Sequence, residues 1–123
     1  MTLKIRIATR KSELALRQVD IVKSYFGEDV ETETIKVTTS GDKILNKSLS
    51  DIGGKGLFIK ELEYFILNGF ADIAVHSMKD METDIAKNTE ISAVLPRGDR
   101  SDVLCGNYDS FDNLPDKAIV GTS

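Results

Sequence analysis

Residues 3–39 read as strand, helix, strand, and that order limits the fold of this chain more than any other feature. Leu3, Ile5 and Ile7 alternate with Lys4 and Arg6, the period-two pattern of a strand. Ser12 is placed to cap a helix, and Ala15, Val19, Val22 and Phe26 follow at helical spacing, with Leu14, Ile21 and Tyr25 beside them. Gly27 supplies a stop. Thr34 to Thr39 is rich in β-branched residues and reads as a second strand. Such a β-α-β unit is parallel and right-handed. The expected class is therefore α/β, a mostly parallel sheet flanked by helices.

The second half of the pattern points to a site. A helix is expected from about Leu57 to Asn68, with Phe58, Leu62, Phe65 and Ile66 on one face and Gly69 as its stop. The segment Ala71 to Asp80, ADIAVHSMKD, then runs from an apolar strand straight into His76, Ser77, Lys79 and Asp80. Ligands of open α/β sheets bind where strands end at their carboxyl edge. Ser40 to Gly56 shows no period and reads as a long loop, with Ser40-Gly41-Asp42 and Gly53-Gly54-Lys55-Gly56 as turn chemistry. Met81 to Glu90 reads as irregular, Ile91 to Leu95 as a fourth strand closed by Pro96. Arg97 to Asp102 reads as a hinge, Val103–Cys105 and Ala118–Val120 as short strands, and Gly121-Thr122-Ser123 as a strand-to-helix turn.

Composition narrows the function classes. The chain has 123 residues, the size of one ordinary domain, with 41% hydrophobic and 29% charged residues. A net charge of -4 opposes a general nucleic-acid-binding role. No apolar run approaches a membrane span, and the N-terminus carries no cleavable signal pattern. One cysteine, Cys105, excludes an internal disulfide, and one histidine beside it argues against a zinc site. Cys105 itself, in a short apolar segment, reads as a buried inert thiol. The expected setting is the cytoplasm.

Three segments share one logic. Thr9-Arg10-Lys11-Ser12 follows the first strand, His76 to Asp80 follows the third, and the glycine-rich run precedes the second helix. Gathered at one sheet edge, Arg10, Lys55 and Lys79 would form a cationic pocket on an acidic protein. Helix N-termini add N–H donors and partial positive charge. The ligand expected is a small molecule with several carboxylates or phosphates. The glycine run lacks P-loop spacing. Lys79 and Asp80 read alternatively as a surface pair, Ser12 as a cap that can also bind ligand, and Phe58 as core or pocket wall. His76, with no partner nucleophile, reads as a hydrogen-bonded structural residue rather than a base.

At these segments the sequence resembles the hydroxymethylbilane synthase family, also called porphobilinogen deaminase. The resembling pieces are IRIATRKSELAL, VTTSGD, GGKGLFIKELE, ADIAVHSMKD, NYDSFDNLP and IVGTS, in the family's order from Ile5 to Ser123. The resemblance implies an enzyme that joins four porphobilinogen units head to tail, releases ammonia each time, and yields the linear tetrapyrrole hydroxymethylbilane. It implies a dipyrromethane cofactor, thioether-linked to a cysteine of a third domain, and two earlier domains like periplasmic binding proteins with the cleft between them. It makes Asp80 the catalytic carboxylate, assigns Ser77, Lys79 and Thr122 to the cofactor, and assigns Arg10, Ser12, Gln18, Lys55 and Phe58 to the substrate. Porphobilinogen carries acetate and propionate groups, which suits a cationic, N–H-lined cleft.

The resemblance also implies an organisation: residues 1–96 as domain 1 and 97–123 as a hinge and the beginning of a truncated domain 2. Two positions depart from the family pattern, Asp51 where a lysine is common and Glu82 where a proline is common. Residues 1–123 stop short of the family's arginine pair and include no cofactor cysteine; Cys105 lies outside that motif. The chain is expected to be inactive alone. The family is usually monomeric, but this tail is expected either to pair with another copy or to pack on domain 1. The competing reading is a stand-alone, non-catalytic anion-binding module related to periplasmic binding proteins. Neither nucleic acid nor membrane is an expected partner.

Overall fold

The structure is a computed structural model that describes residues 2–43 and 56–121. Strand β1 (Leu3–Arg10), helix α1 (Glu13–Lys23) and strand β2 (Val30–Val37) form the expected β-α-β unit. Helix α2 (Ser40–Lys43), helix α3 (Lys60–Leu67) and strand β3 (Ile73–Ala74) follow. The sheet order is β2-β1-β3, and both pairings are parallel. Leu3 lies opposite Val30 and Arg10 opposite Val37, so β1 and β2 end together.

The centre of β1 explains why helices cover both faces. Ile7, Ala8 and Thr9 are fully buried in succession, which a half-exposed strand would not allow. Ala8 packs with Val37, Leu62 and Ala71, with Ile35, Phe65 and Ile66 against them. Ile7 points the other way by strand alternation, and α1 lies against β1 with Ala15 and Val19 buried. Arg6 and Asp72 tie the start of β3 to β1 through a fork, with Nη2 to Oδ1 at 2.7 Å and Nε to Oδ2 at 3.1 Å. Those Arg6 hydrogen bonds hold the Asp72 carboxyl down to about 2.

The helix ends follow local chemistry. Ser12 is the N-cap of α1 and its Oγ accepts from the Ala15 N–H at 3.3 Å. Ser12→Ala is expected to lower stability by about 0.5–2 kcal/mol, read from the urea midpoint. No change in the midpoint would mean the cap is not made in solution. After α3, Gly69 takes φ 70, the left-handed conformation that ends helices at low cost when no Cβ is present.

Several elements differ from the sequence expectation. Helix α3 is shorter than Leu57–Asn68, and the strand expected at 34–39 runs from Val30 to Val37. The expected loop after Thr39 begins with α2, whose Ser40 and Gly41 N–H groups donate to Glu61 Oε1 and the Leu57 carbonyl. Residues 91–95, 103–105 and 118–120 form no strands. Val94, Val103, Ile119 and Val120 are exposed, so these apolar runs have no sheet neighbour among the described residues, and a strand needs one to satisfy its backbone. Cys105 is exposed rather than buried, for the same reason. Among the described residues, no helix is long and apolar enough to cross a membrane, and no cluster of His, Cys, Asp and Glu could hold a metal ion.

Candidate active site

The parallel register delivers three chain segments to one edge. β1 ends at Arg10, and Ser12 then opens α1. The Val75 N–H still donates to the Ala8 carbonyl at 3.0 Å, so the β3 ladder reaches one residue past Ala74. His76 and Ser77 leave the sheet, and a 3-10 turn over Met78–Asp80 follows. In that turn the Asp80 N–H donates to the Ser77 carbonyl at 3.0 Å, folding the Asp80 carboxylate back toward β1.

The result is a cavity of about 190 Å³ lined by Arg10, Ser12, Leu14, Ala15, Gln18, Phe58, Val75, His76, Ser77, Lys79 and Asp80. Seven of the nine residues singled out in the sequence share it. Lys55 and Thr122 lie outside the described residues. A larger open groove of about 510 Å³ runs between β2 and α3, lined by Lys36, Lys60, Glu61, Tyr64 and Phe65 among others. It contains none of the predicted residues, and its one carboxylate, Glu61, is engaged by the N–H and hydroxyl of Ser40.

Arg10 is the hub of the cavity. Its Nε and Nη2 donate to Asp42 Oδ1 at 3.1 and 2.6 Å. Its guanidinium carbon sits 3.9 Å from the centroid of the Phe58 ring, a cation–π contact. Its Nη1 faces Asp80 Oδ2 at 3.9 Å, close enough for attraction but too long for a hydrogen bond. Arg10, Asp42 and Asp80 side chains are all about four-fifths buried, with 21%, 19% and 22% exposure. Burial works to raise the Asp42 carboxyl, but hydrogen bonds from Arg10 and Thr39 outweigh it and hold it below the usual range.

Ser77 and Gln18 lock each other: Gln18 Nε2 donates to Ser77 Oγ at 2.8 Å, and Ser77 Oγ lies 3.2 Å from Gln18 Oε1. This bond joins α1 to the segment after β3. Lys79 is exposed at the rim. His76 Nε2 is buried and has no hydrogen-bond partner among the described residues. Burial lowers the His76 pKa and Arg10 pushes the same way, while Asp80 opposes them. The hydrogen bond expected of a structural histidine is therefore not made at His76 Nε2 among the described residues.

Two features escaped sequence reading. The pocket is not simply cationic: among the described residues Arg10 faces Asp80 and is already paired with Asp42. Asp42 stood in the turn-like Ser40-Gly41-Asp42 with no role attached, because its partner lies 32 positions away. The nearest sequence signal was Gly41. A Cβ there would fall 2.2 Å from Phe58 Cε1, so only glycine lets the Phe58 ring rest on this turn and against Arg10.

The donors present, a guanidinium, an ammonium and two hydroxyls around a carboxylate, fit a group bearing acetate and propionate side chains. The cavity is smaller than the ~300–1,000 Å³ of a complete ligand pocket.

Comparison with known proteins agrees with the local chemistry. The family profile described as "Porphobilinogen deaminase, dipyromethane cofactor binding domain" matches residues 5–123. The chain is 47% identical to the porphobilinogen deaminase of Natranaerobius thermophilus, covering 98% of this chain and 40% of that protein. It is 49% identical to that of Rickettsia bellii, covering 97% of this chain and 41% of the relative. For Buchnera aphidicola subsp. Acyrthosiphon pisum the identity is 50%, covering 97% and 39%. The chain thus spans about two fifths of the length of these curated relatives.

Proposed function

The chain belongs to the porphobilinogen deaminase family, and from that premise we propose that residues 1–123 supply one wall of a deaminase cleft. Residues 1–96 are domain 1, and residues 97–123 are the hinge and the beginning of domain 2. The reaction is the head-to-tail joining of four porphobilinogen units with loss of ammonia, giving hydroxymethylbilane. Asp80 is the catalytic carboxylate. Arg10, Ser12, Gln18, Lys55 and Phe58 hold substrate, and Ser77, Lys79 and Thr122 hold the dipyrromethane, which supplies the primer for polymerisation when bound.

The observation that carries this reading is the Asp80 carboxylate aimed into a cavity beside, but not bonded to, Arg10. A binder of anions gains nothing from an inward carboxylate, which would repel its ligand. Deaminase chemistry needs one. When the aminomethyl C–N bond of porphobilinogen breaks, ammonia leaves with the bonding pair and the ring nitrogen becomes positive. A fixed carboxylate lowers the cost of that charge and accepts the ring N–H hydrogen bond. The electrophilic methylene is then taken up by a pyrrole α-carbon, which loses its proton. Arg10 and Lys79 meanwhile hold ring carboxylates. The relatives, all named deaminases, do not favour the stand-alone anion-binding module.

The test is incubation with porphobilinogen. The full translation product that contains this sequence is expected to consume it and to form a linear tetrapyrrole, detected as porphyrin after cyclisation and oxidation. Residues 1–123 alone are expected to form none, since the cofactor cysteine and the arginine pair are not among them. Absence of consumption by the full product would sink the assignment.

A further inference from the structure

We propose that Asp42 is a positioning residue of this site, acting through Arg10 to keep the Asp80 carboxylate free. The proposal rests on the assignment of Asp80 as the carboxylate that meets developing positive charge. One guanidinium lies between two carboxylates, and the structure divides it unequally. Asp42 takes the Nε/Nη2 edge at 3.1 and 2.6 Å, while Asp80 stays 3.9 Å from Nη1.

Asp42 can win this competition because it is itself anchored. Its Oδ2 accepts from the Thr39 N–H at 3.1 Å and the Thr39 hydroxyl at 2.6 Å, and Thr39 is fully buried two residues past β2. The Asp42 N–H lies 3.3 Å from Thr39 Oγ1, so residue 39 and residue 42 close a small ring. The Phe58 ring then covers one face of the guanidinium and stops it rotating out of the Asp42 plane. Arg10 is held at an edge and a face, and only Nη1 remains for the cavity.

The chemical consequence follows from charge. A full hydrogen-bonded pair between Arg10 and Asp80 would neutralise the carboxylate before any substrate charge developed, and a charge-assisted guanidinium bond is a strong competitor. With Asp42 holding Arg10 back, Asp80 keeps its capacity for the ring N–H. Arg10 keeps one N–H pair directed at a ligand carboxylate. Removal of the Asp42 charge leaves Asp80 as the better acceptor, and Arg10 should close the gap.

The experiment is a double-mutant cycle in the full translation product that contains this sequence. The Arg10 side-chain Nε–H resonance is followed by NMR. In the unaltered background, Asp80→Asn is expected to leave this resonance nearly in place. In the Asp42→Asn background, Asp80→Asn should shift it markedly, because Arg10 has moved onto Asp80. Equal perturbation in both backgrounds would overturn the proposal. Kinetics provide the second reading: Asp42→Asn should lower kcat on the order of tenfold, with KM much less affected, and add nothing further to Arg10→Gln. Full additivity with Arg10→Gln would mean that Asp42 acts only on folding, and also overturns it. Asp42→Glu, which keeps the charge, should recover part of the rate. If Asp42→Asn fails to fold, Thr39→Val removes the hydroxyl anchor and should give the same coupling at smaller size. Retained turnover in Asp80→Asn alone would refute the catalytic assignment, while the NMR coupling would still report on the clamp.

Discussion

Asp80→Asn, in the full translation product that contains this sequence, is expected to cut kcat by about 10²–10³, or ~2.7–4 kcal/mol of transition-state stabilisation, by analogy with loss of one oxyanion-hole donor. The substitution keeps the size of the side chain and removes its charge. Asp80 makes no hydrogen bond through its side chain within the described structure, and its nearest cation is Arg10 at 3.9 Å. Folding should therefore change little. The effect belongs in kcat rather than KM, because the carboxylate matters most when the ring nitrogen turns positive. Steady-state porphobilinogen consumption measures it, with the urea midpoint as control. Turnover near that of the parent would reduce Asp80 to a neighbour of Arg10.

The second large effect is expected in the core. Leu62→Ala should destabilise the fold by about 2–5 kcal/mol, the range for large-to-small substitutions at closed sites. Leu62 is 1% exposed and packs against Ala8 of β1, Val37 of β2 and Ala71 before β3. Those neighbours are small or sit in the sheet, so they cannot collapse into the space left behind. Natural domains have only ~5–15 kcal/mol in hand, so this loss takes a large share of the total. Leu62→Met nearly conserves volume and should cost less than ~1.5 kcal/mol. Chemical denaturation of the three proteins provides the comparison. A loss below that of the Met variant would mean α3 is not seated on the sheet as described. The site should feel the change too, because Phe58 and Ile59 lead directly into α3.

Much of the cavity was legible in the sequence because it is made by local rules. Alternation over Leu3 to Ile7, the Ser12 cap and the 3.6-residue period of α1 are determined by neighbours a few positions apart. Once a parallel β-α-β unit is established, strand ends must gather at one edge. That is why Arg10, Ser12, Ser77, Lys79 and Asp80 could be grouped from sequence, with Gln18 added only by the family resemblance, and these six line one cavity. The side of Phe58 was open in sequence, since a helical period alone does not distinguish core from pocket.

What failed in the sequence reading depended on partners elsewhere in the chain. The apolar runs 91–95, 103–105 and 118–120 have strand composition, yet a strand exists only where a neighbour accepts its hydrogen bonds. Cys105 is exposed for want of the same neighbour. Asp42 looked like turn chemistry until Arg10 met it across 32 residues, and the charge of the pocket changed with that bond. Sequence alone placed Arg10, Ser12, Ser77, Lys79 and Asp80 at strand ends and a helix start, through periods and caps that act within one element. Tertiary structure alone decided how charge is shared there, because pairing between carboxylate and guanidinium depends on distances of a few ångströms between elements.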